Sequence, residues 1–209
     1  MKGHAARNTW LRRLNGPDYY KPNTWEFWRS LAINFYLFNI LGHWAEIPYC
    51  TFMDRCFGIV DENYELWTDP WFKPYWVYGS GVVVMTLVIE PLKEWMLAKF
   101  KTTWGAALMT FAIATGVAAF LETAFGFICN QPNELGVYPF WDNSQLPGNI
   151  LGQGWIVNDL VMGVMCVLYV WLIYPAICKG LRAMGPFGAN VLFGVASSLF
   201  GLATIFSYI

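Results

Sequence analysis

Three carboxylates stand inside apolar runs of this 209-residue chain, at Glu46, Glu122 and Asp159. A carboxyl group at hydrocarbon depth costs several kcal/mol unless it is paired, hydrogen-bonded, hydrated or neutralised, so each is a candidate for cation binding or proton relay. The competing reading is structural: a neutral acid hydrogen-bonded to the next helix. His43 lies one turn before Glu46 and suits a hydrogen-bonded orienter as well as a ligand or proton carrier. Carboxylates with one histidine would also admit Ca²⁺, Mg²⁺ or a transition metal, but no dense ligand motif accompanies them and the metal stays open. The sequence holds no HExxH, GxSxG or GxxxxGK[ST] pattern, so no cofactor is expected and the enzyme reading leans to no.

The elements that position these groups are membrane helices. Hydrophobic residues make up 56% of the chain and charged residues 13%, about half the charged share of soluble domains. The 12 Trp, 11 Tyr and 16 Phe suit interfacial belts, and a net charge of -1 points to no nucleic acid. Residues 1–29 mix six lysines and arginines with aromatics and read as a segment on the membrane surface, or as a solvated tail. Residues 30–209 read as one all-α bundle of five transmembrane helices, approximately 30–52, 74–97, 104–129, 153–178 and 186–209. Lysines and arginines number eleven on one side of that topology and two on the other. The positive-inside rule then predicts a cytoplasmic N-terminus, external loops at 53–73 and 130–152, and an external C-terminus.

Helical spacing puts Asn39, Gly42, His43, Glu46 and Tyr49 on one face of the first span. Ala112, Thr115, Ala119, Glu122 and Gly126 share a face of the third, and Asp159, Gly163 and Cys166 one of the fourth. Asn190, Gly194, Ser197 and Gly201 make the fifth a packing helix. Glu90, near Lys93 and Glu94, reads as a hydrated interface cluster, while Pro48, Pro91 and Pro175 free backbone carbonyls at bends. At 1.5 Å rise per residue, Glu46, Glu122 and Asp159 all lie about 9–11 Å below the external surface. Tyr78, Asp142 and Asn149 lie above them, which predicts a polar, acidic vestibule open to the outside. Cys166 and Cys178 read as small hydrophobes; Cys50, Cys56 and Cys129 lie near one face, where a bridge is conceivable.

These residues carry a resemblance. Gly42, Glu46 and Tyr49, then Pro74 with Tyr78-Gly79-Ser80-Gly81, then Leu121-Glu122 with Gly126, resemble a small polytopic family described as ABC-transporter permeases of type IV. The densest match is Trp141-Asp142-x-Ser144-x-x-Pro147-x-Asn149-x-x-Gly152, and the coverage runs from about Phe35 to Pro175. The chain departs from that pattern at Gln153, where the family usually has arginine, and at Asn143, where it has an aromatic residue.

The function expected is that of a transport-related, permease-like component of the cytoplasmic (inner) membrane, multi-pass in the lipid bilayer, working with partner subunits or as a homo-oligomer. Its candidate residues for substrate binding or proton relay are Glu46, Glu122, Asp159, His43, Asp142, Asn149 and Tyr78. The alternatives are a membrane scaffold or subunit without transport, and an intramembrane lipid-modifying enzyme.

Overall fold

The computed structural model describes residues 15, 19–58, 69–134, 136, 138 and 141–209. Most of the expected interfacial segment, and Asp61, Glu62 and Glu65 of the acidic loop, lie outside the described residues.

Helix α1 (Trp25–Phe57) begins where Thr24, in extended backbone, accepts a hydrogen bond from the Phe27 amide at 3.4 Å. Helix α2 covers 76–99 in three pieces: α-helical Trp76–Val84, π-helical Met85–Ile89 and α-helical Glu90–Lys99. Helix α3 (Thr103–Cys129) is capped by Thr102, whose hydroxyl accepts from the Gly105 amide at 3.1 Å. A short hairpin pairs β1 (Asn149–Ile150) antiparallel with β2 (Gly154–Trp155). Helix α4 (Ile156–Ala183) is π-helical at Tyr169–Ile173, and α5 (Gly185–Tyr208) follows it.

Both π-helical segments end two residues before a proline, Pro91 and Pro175. A proline has no N–H, so the carbonyl four residues earlier loses its helical donor. Those carbonyls belong to Leu87 and Trp171. Each is answered by a side chain: Tyr20 Oη donates to the Leu87 carbonyl at 3.3 Å, and Asn15 Nδ2 to the Trp171 carbonyl at 3.1 Å. The expectation that prolines free carbonyls thus has a specific outcome at two of the three sites.

Helices α3, α4 and α5 are long and apolar enough to cross a membrane. Large side chains on them stand outward with nothing of the protein over them, including Trp104 at 86%, Phe187 at 83% and Phe206 at 75% exposure. Such apolar exposure is stable against lipid rather than water. The protein is therefore an α-helical membrane protein. Helices α1 and α2 occupy the other two expected spans, but Glu90, Lys93, Glu94 and Lys99 dilute the apolarity of α2.

The chain forms two compact units, Met1–Gly16 with Ile89–Ile173, and Pro17–Val88 with Tyr174–Ile209. In the first, α3 and α4 touch at Gly163, where a Cβ would overlap Thr115 Oγ1 and come within 3.0 Å of the Phe111 ring. In the second, Gly42 lies under the Tyr78 ring and Gly79 against Asn39 and Phe35. There α5 meets α1 through aromatic rings, with Tyr36 and Phe200 stacked at 4.7 Å, beside an apolar core of Ile33, Leu181 and Ala189.

The small-residue face expected on α5 behaves differently. Nothing lies within 4 Å of a Cβ added at Gly194 or Gly201. Two polar members of that face do the packing instead: Asn190 accepts from Arg29 Nη1 at 2.7 Å and Trp25 Nε1 at 3.1 Å, and Ser197 Oγ lies 3.5 Å from Tyr36 Oη. Glycine spacing alone does not say which side of a helix finds a neighbour.

These contrasts set a stability test in detergent or nanodiscs. Gly163→Leu forces atoms into a filled contact and lowers stability by about 1–3 kcal/mol. Gly194→Ala removes backbone entropy from an open helical site, so its melting temperature stays level or rises.

Candidate functional site

The loop after α3 is a clasp. Asn130 Nδ2 donates to the Trp141 carbonyl at 2.7 Å and to Gln153 Oε1 at 3.0 Å. Trp141 Nε1 and Asn143 Nδ2 both donate to the Gln153 carbonyl, at 2.8 and 2.6 Å. Asn149 donates through Nδ2 to the Leu146 carbonyl at 2.9 Å and the Ser144 carbonyl at 3.2 Å, and accepts from the Gly152 amide at 3.0 Å. Trp155 Nε1 closes the loop onto the Pro147 carbonyl at 3.1 Å. Four of these bonds, three to Gln153 and one from Trp155, tie the loop to the Gln153-Gly154-Trp155 run, and the rest brace the loop itself.

Glu122 receives the product of that arrangement. The Trp155 amide donates to Glu122 Oε2 at 3.1 Å, and Asn158 Nδ2 to Oε1 at 3.3 Å. Gly154 permits the approach, because a Cβ there would come within 2.7 Å of Thr123 Oγ1 and 3.5 Å of Glu122 Oε2. Asp159, in the first turn of α4, is buried at 1% exposure, with its carboxyl in hydrogen-bonding range of Glu122. The positive end of the helix dipole favours an acid there. Asp159 Oδ2 and Thr123 Oγ1 are both buried without a hydrogen-bond partner. A proton shared with the neighbouring carboxyl, a water or an ion would complete such a buried acceptor.

The seven residues expected to form one site fall in two groups, each within its own unit. Glu122, Asp159, Asp142 and Asn149 belong to the first unit, and His43, Glu46 and Tyr78 to the second. Asn149 spends its amide on the loop itself. Asp142 is exposed and accepts from the Ser144 amide at 2.9 Å. In the second unit His43 is buried, its Nδ1 donates toward the Lys73 carbonyl at 3.4 Å, and its ring meets Tyr75 edge-on at 4.4 Å. Glu46 is half-buried and within Coulombic range of Tyr75. Tyr78 packs over Gly42.

Sequence reasoning missed several participants. Asn158, the Trp155 amide and Gly154 all serve Glu122, and only the polarity of Asn158 beside Asp159 in an apolar run could have marked one of them. In the second unit Asp69 accepts from the Tyr75 hydroxyl and pairs with Lys73 at 2.7 Å. Burial alone would raise the Asp69 carboxyl, but the Lys73 ammonium and Tyr75 hydroxyl outweigh it and hold it below its ordinary value. Lys73 also lies over the Tyr75 and Tyr208 rings at 5.7 and 5.6 Å. Gln153, where arginine was expected, turns to Asn130 and packs on Gly126, so its amide serves the clasp. None of the five cysteines is in a disulfide, and Cys50, Cys166 and Cys178 are buried. Among the described residues no three His, Cys, Asp or Glu side chains converge as a metal centre.

Apolar helices with an acidic pair braced by a polar loop define a membrane component with a polar site. The chain matches the family model described as "Putative ABC-transporter type IV" over residues 33–208, and it belongs to that family. No curated protein and no solved structure matches it.

The loop sets a pH test. The Ser144 hydroxyl and amide hold the Asp142 carboxyl below its ordinary value of 3.8. A lowered acid stabilises its surroundings above its unfolded value, and that contribution is lost as pH falls through the folded one. The protection of the Ser144 amide against exchange, taken relative to an unstructured amide at the same pH, should therefore fall as the solution is acidified below about pH 4. Asp142→Asn should exchange faster already at neutral pH and lose the acid step.

Proposed function

We propose that the protein is a permease-like component of a transport system of the cytoplasmic membrane, whose acidic site at Glu122 and Asp159 takes up a cationic group or relays protons. The observation that carries this reading is the buried Asp159 Oδ2, unpartnered beside a Glu122 carboxyl that already accepts two donors. A bound ammonium, amine, hydrated ion or proton supplies the donor that the protein leaves out. Asp142 and Asn149 then act at the entrance by shaping the loop, and His43, Glu46 and Tyr78 form a second polar group within their own unit. In this reading the chain crosses the membrane five times with its N-terminus inside, residues 1–29 lie on the cytoplasmic surface, and 30–209 form the membrane domain. Energy from ATP would come through partner subunits.

A scaffold is the second reading. Its support is that both oxygens of Glu122 accept donors from the protein, as a helix-locking group would.

Two experiments separate these readings. Thermal-shift scans of wild type, Glu122→Gln and Asp159→Asn across pH, with a panel of inorganic cations and amines, should show one class stabilising wild type by up to about 2.7 kcal/mol at a hundredfold excess over Kd. Both variants should fold and lose that response. If nothing in the panel stabilises wild type and the variants melt lower at every pH, the scaffold reading replaces this one. For orientation, an impermeant maleimide added to intact cells should label the exposed Cys56 and Cys129 and spare Cys50, Cys166 and Cys178. Labelling only after the membrane is opened would overturn the topology.

A further inference from the structure

Glu90 and Lys93 were expected as a hydrated cluster at the membrane interface, and the structure corrects this: both are at 0% exposure. An ammonium has three N–H donors, and each of those on Lys93 finds an oxygen. They are Asn15 Oδ1 at 2.8 Å, Glu90 Oε1 at 2.8 Å and the Val170 carbonyl at 3.1 Å. Glu94 Oε1 stands as a fourth oxygen at 2.9 Å, without hydrogen-bond geometry.

The sequence explains how these oxygens become available. Val170 lies in the π-helical part of α4, where its carbonyl looks five residues on for a donor and meets Pro175, which has none. Asn15 bridges the cage, donating to the Trp171 carbonyl while accepting from Lys93. Glu90 follows the other π-helical segment directly. The cage holds more acceptor capacity than one lysine can use, since Glu90 Oε2 is also buried without a partner. Two carboxyls, a side-chain amide and a backbone carbonyl around one nitrogen form the coordination shell of a small monovalent cation.

We propose that this cage is a binding site for a cation of the ammonium class, and that Lys93 is its tethered occupant, standing where free ammonium or a primary amine would otherwise bind. The site is independent of Glu122 and Asp159. The three-point N–H pattern selects ammonium and methylammonium, and the full enclosure rejects a bulky quaternary ion. Asn15 is then a ligand of the site as well as a tie to Trp171.

The test is chemical rescue of purified full-length protein in nanodiscs of neutral lipid. Lys93→Ala should melt at least 5 °C below wild type, and millimolar methylammonium or ammonium chloride should restore a large part of the loss. Tetramethylammonium at equal ionic strength should restore none, and wild type should respond to neither. Adding Asn15→Ala to Lys93→Ala should weaken the rescue several-fold. If Lys93→Ala does not fold, Lys93→Ala/Glu94→Gln, which leaves one fewer charge uncompensated, should show the same response. Failure of both variants to gain stability from methylammonium overturns the proposal, and so does an equal gain from tetramethylammonium.

Discussion

In apolar surroundings a backbone carbonyl without a donor has no water to turn to, and much of this structure answers that one requirement. Pro91 and Pro175 each remove a donor from the middle of a long helix. Leaving such a group bare costs about 1–3 kcal/mol. The helices respond by widening into π-helical turns, and side chains from distant parts of the sequence complete the hydrogen bonds: Tyr20 at Leu87, Asn15 at Trp171, Lys93 at Val170. The need to satisfy backbone is therefore what brings a charged lysine inside. Once there it must be paired, because removing one partner of a buried ion pair typically costs about 3–5 kcal/mol. Glu90 supplies the pairing from one turn away on the same helix.

The same logic governs the loop between α3 and α4. The densest part of the family pattern, from Trp141 to Gly152, reads at first as a set of ligands. In the structure its polar groups are consumed by one another and by the Gln153 carbonyl. Their effect is carried one step further, to the Trp155 amide that reaches Glu122. The loop motif is an instrument for aiming backbone, and the proposed site rests on residues beside it.

Much of this was legible in advance, and the limits have physical causes. Apolar run length predicted 104–129, 153–178 and 186–209, against observed helices Thr103–Cys129, Ile156–Ala183 and Gly185–Tyr208. Glu122 and Asp159 were each marked, with Glu46, as an intramembrane acid in need of a partner, but that these two pair with one another was not foreseen. Lys93 was misread because a Glu and a Lys three residues apart near a helix end have the spacing of a solvated pair. Only the orphaned Val170 carbonyl, nearly eighty residues away in sequence, draws that pair inward. The hairpin escaped notice because its strands are two residues each, too short for any alternation to register. On α5, helical period placed Asn190, Gly194, Ser197 and Gly201 on one face but carried no information about which members of it meet α1.

Glu122 and Asp159 are alike in chemistry and unlike in surroundings, and that difference gives the site a direction. Glu122 is held from the loop side by an amide and an asparagine, so its position is fixed by the clasp. Asp159 is the more deeply buried of the two, yet one of its oxygens is left without a donor. The fold has thus fixed one carboxyl and left its neighbour an unfilled acceptor. That division suits a site in which one group holds position while the other exchanges its partner.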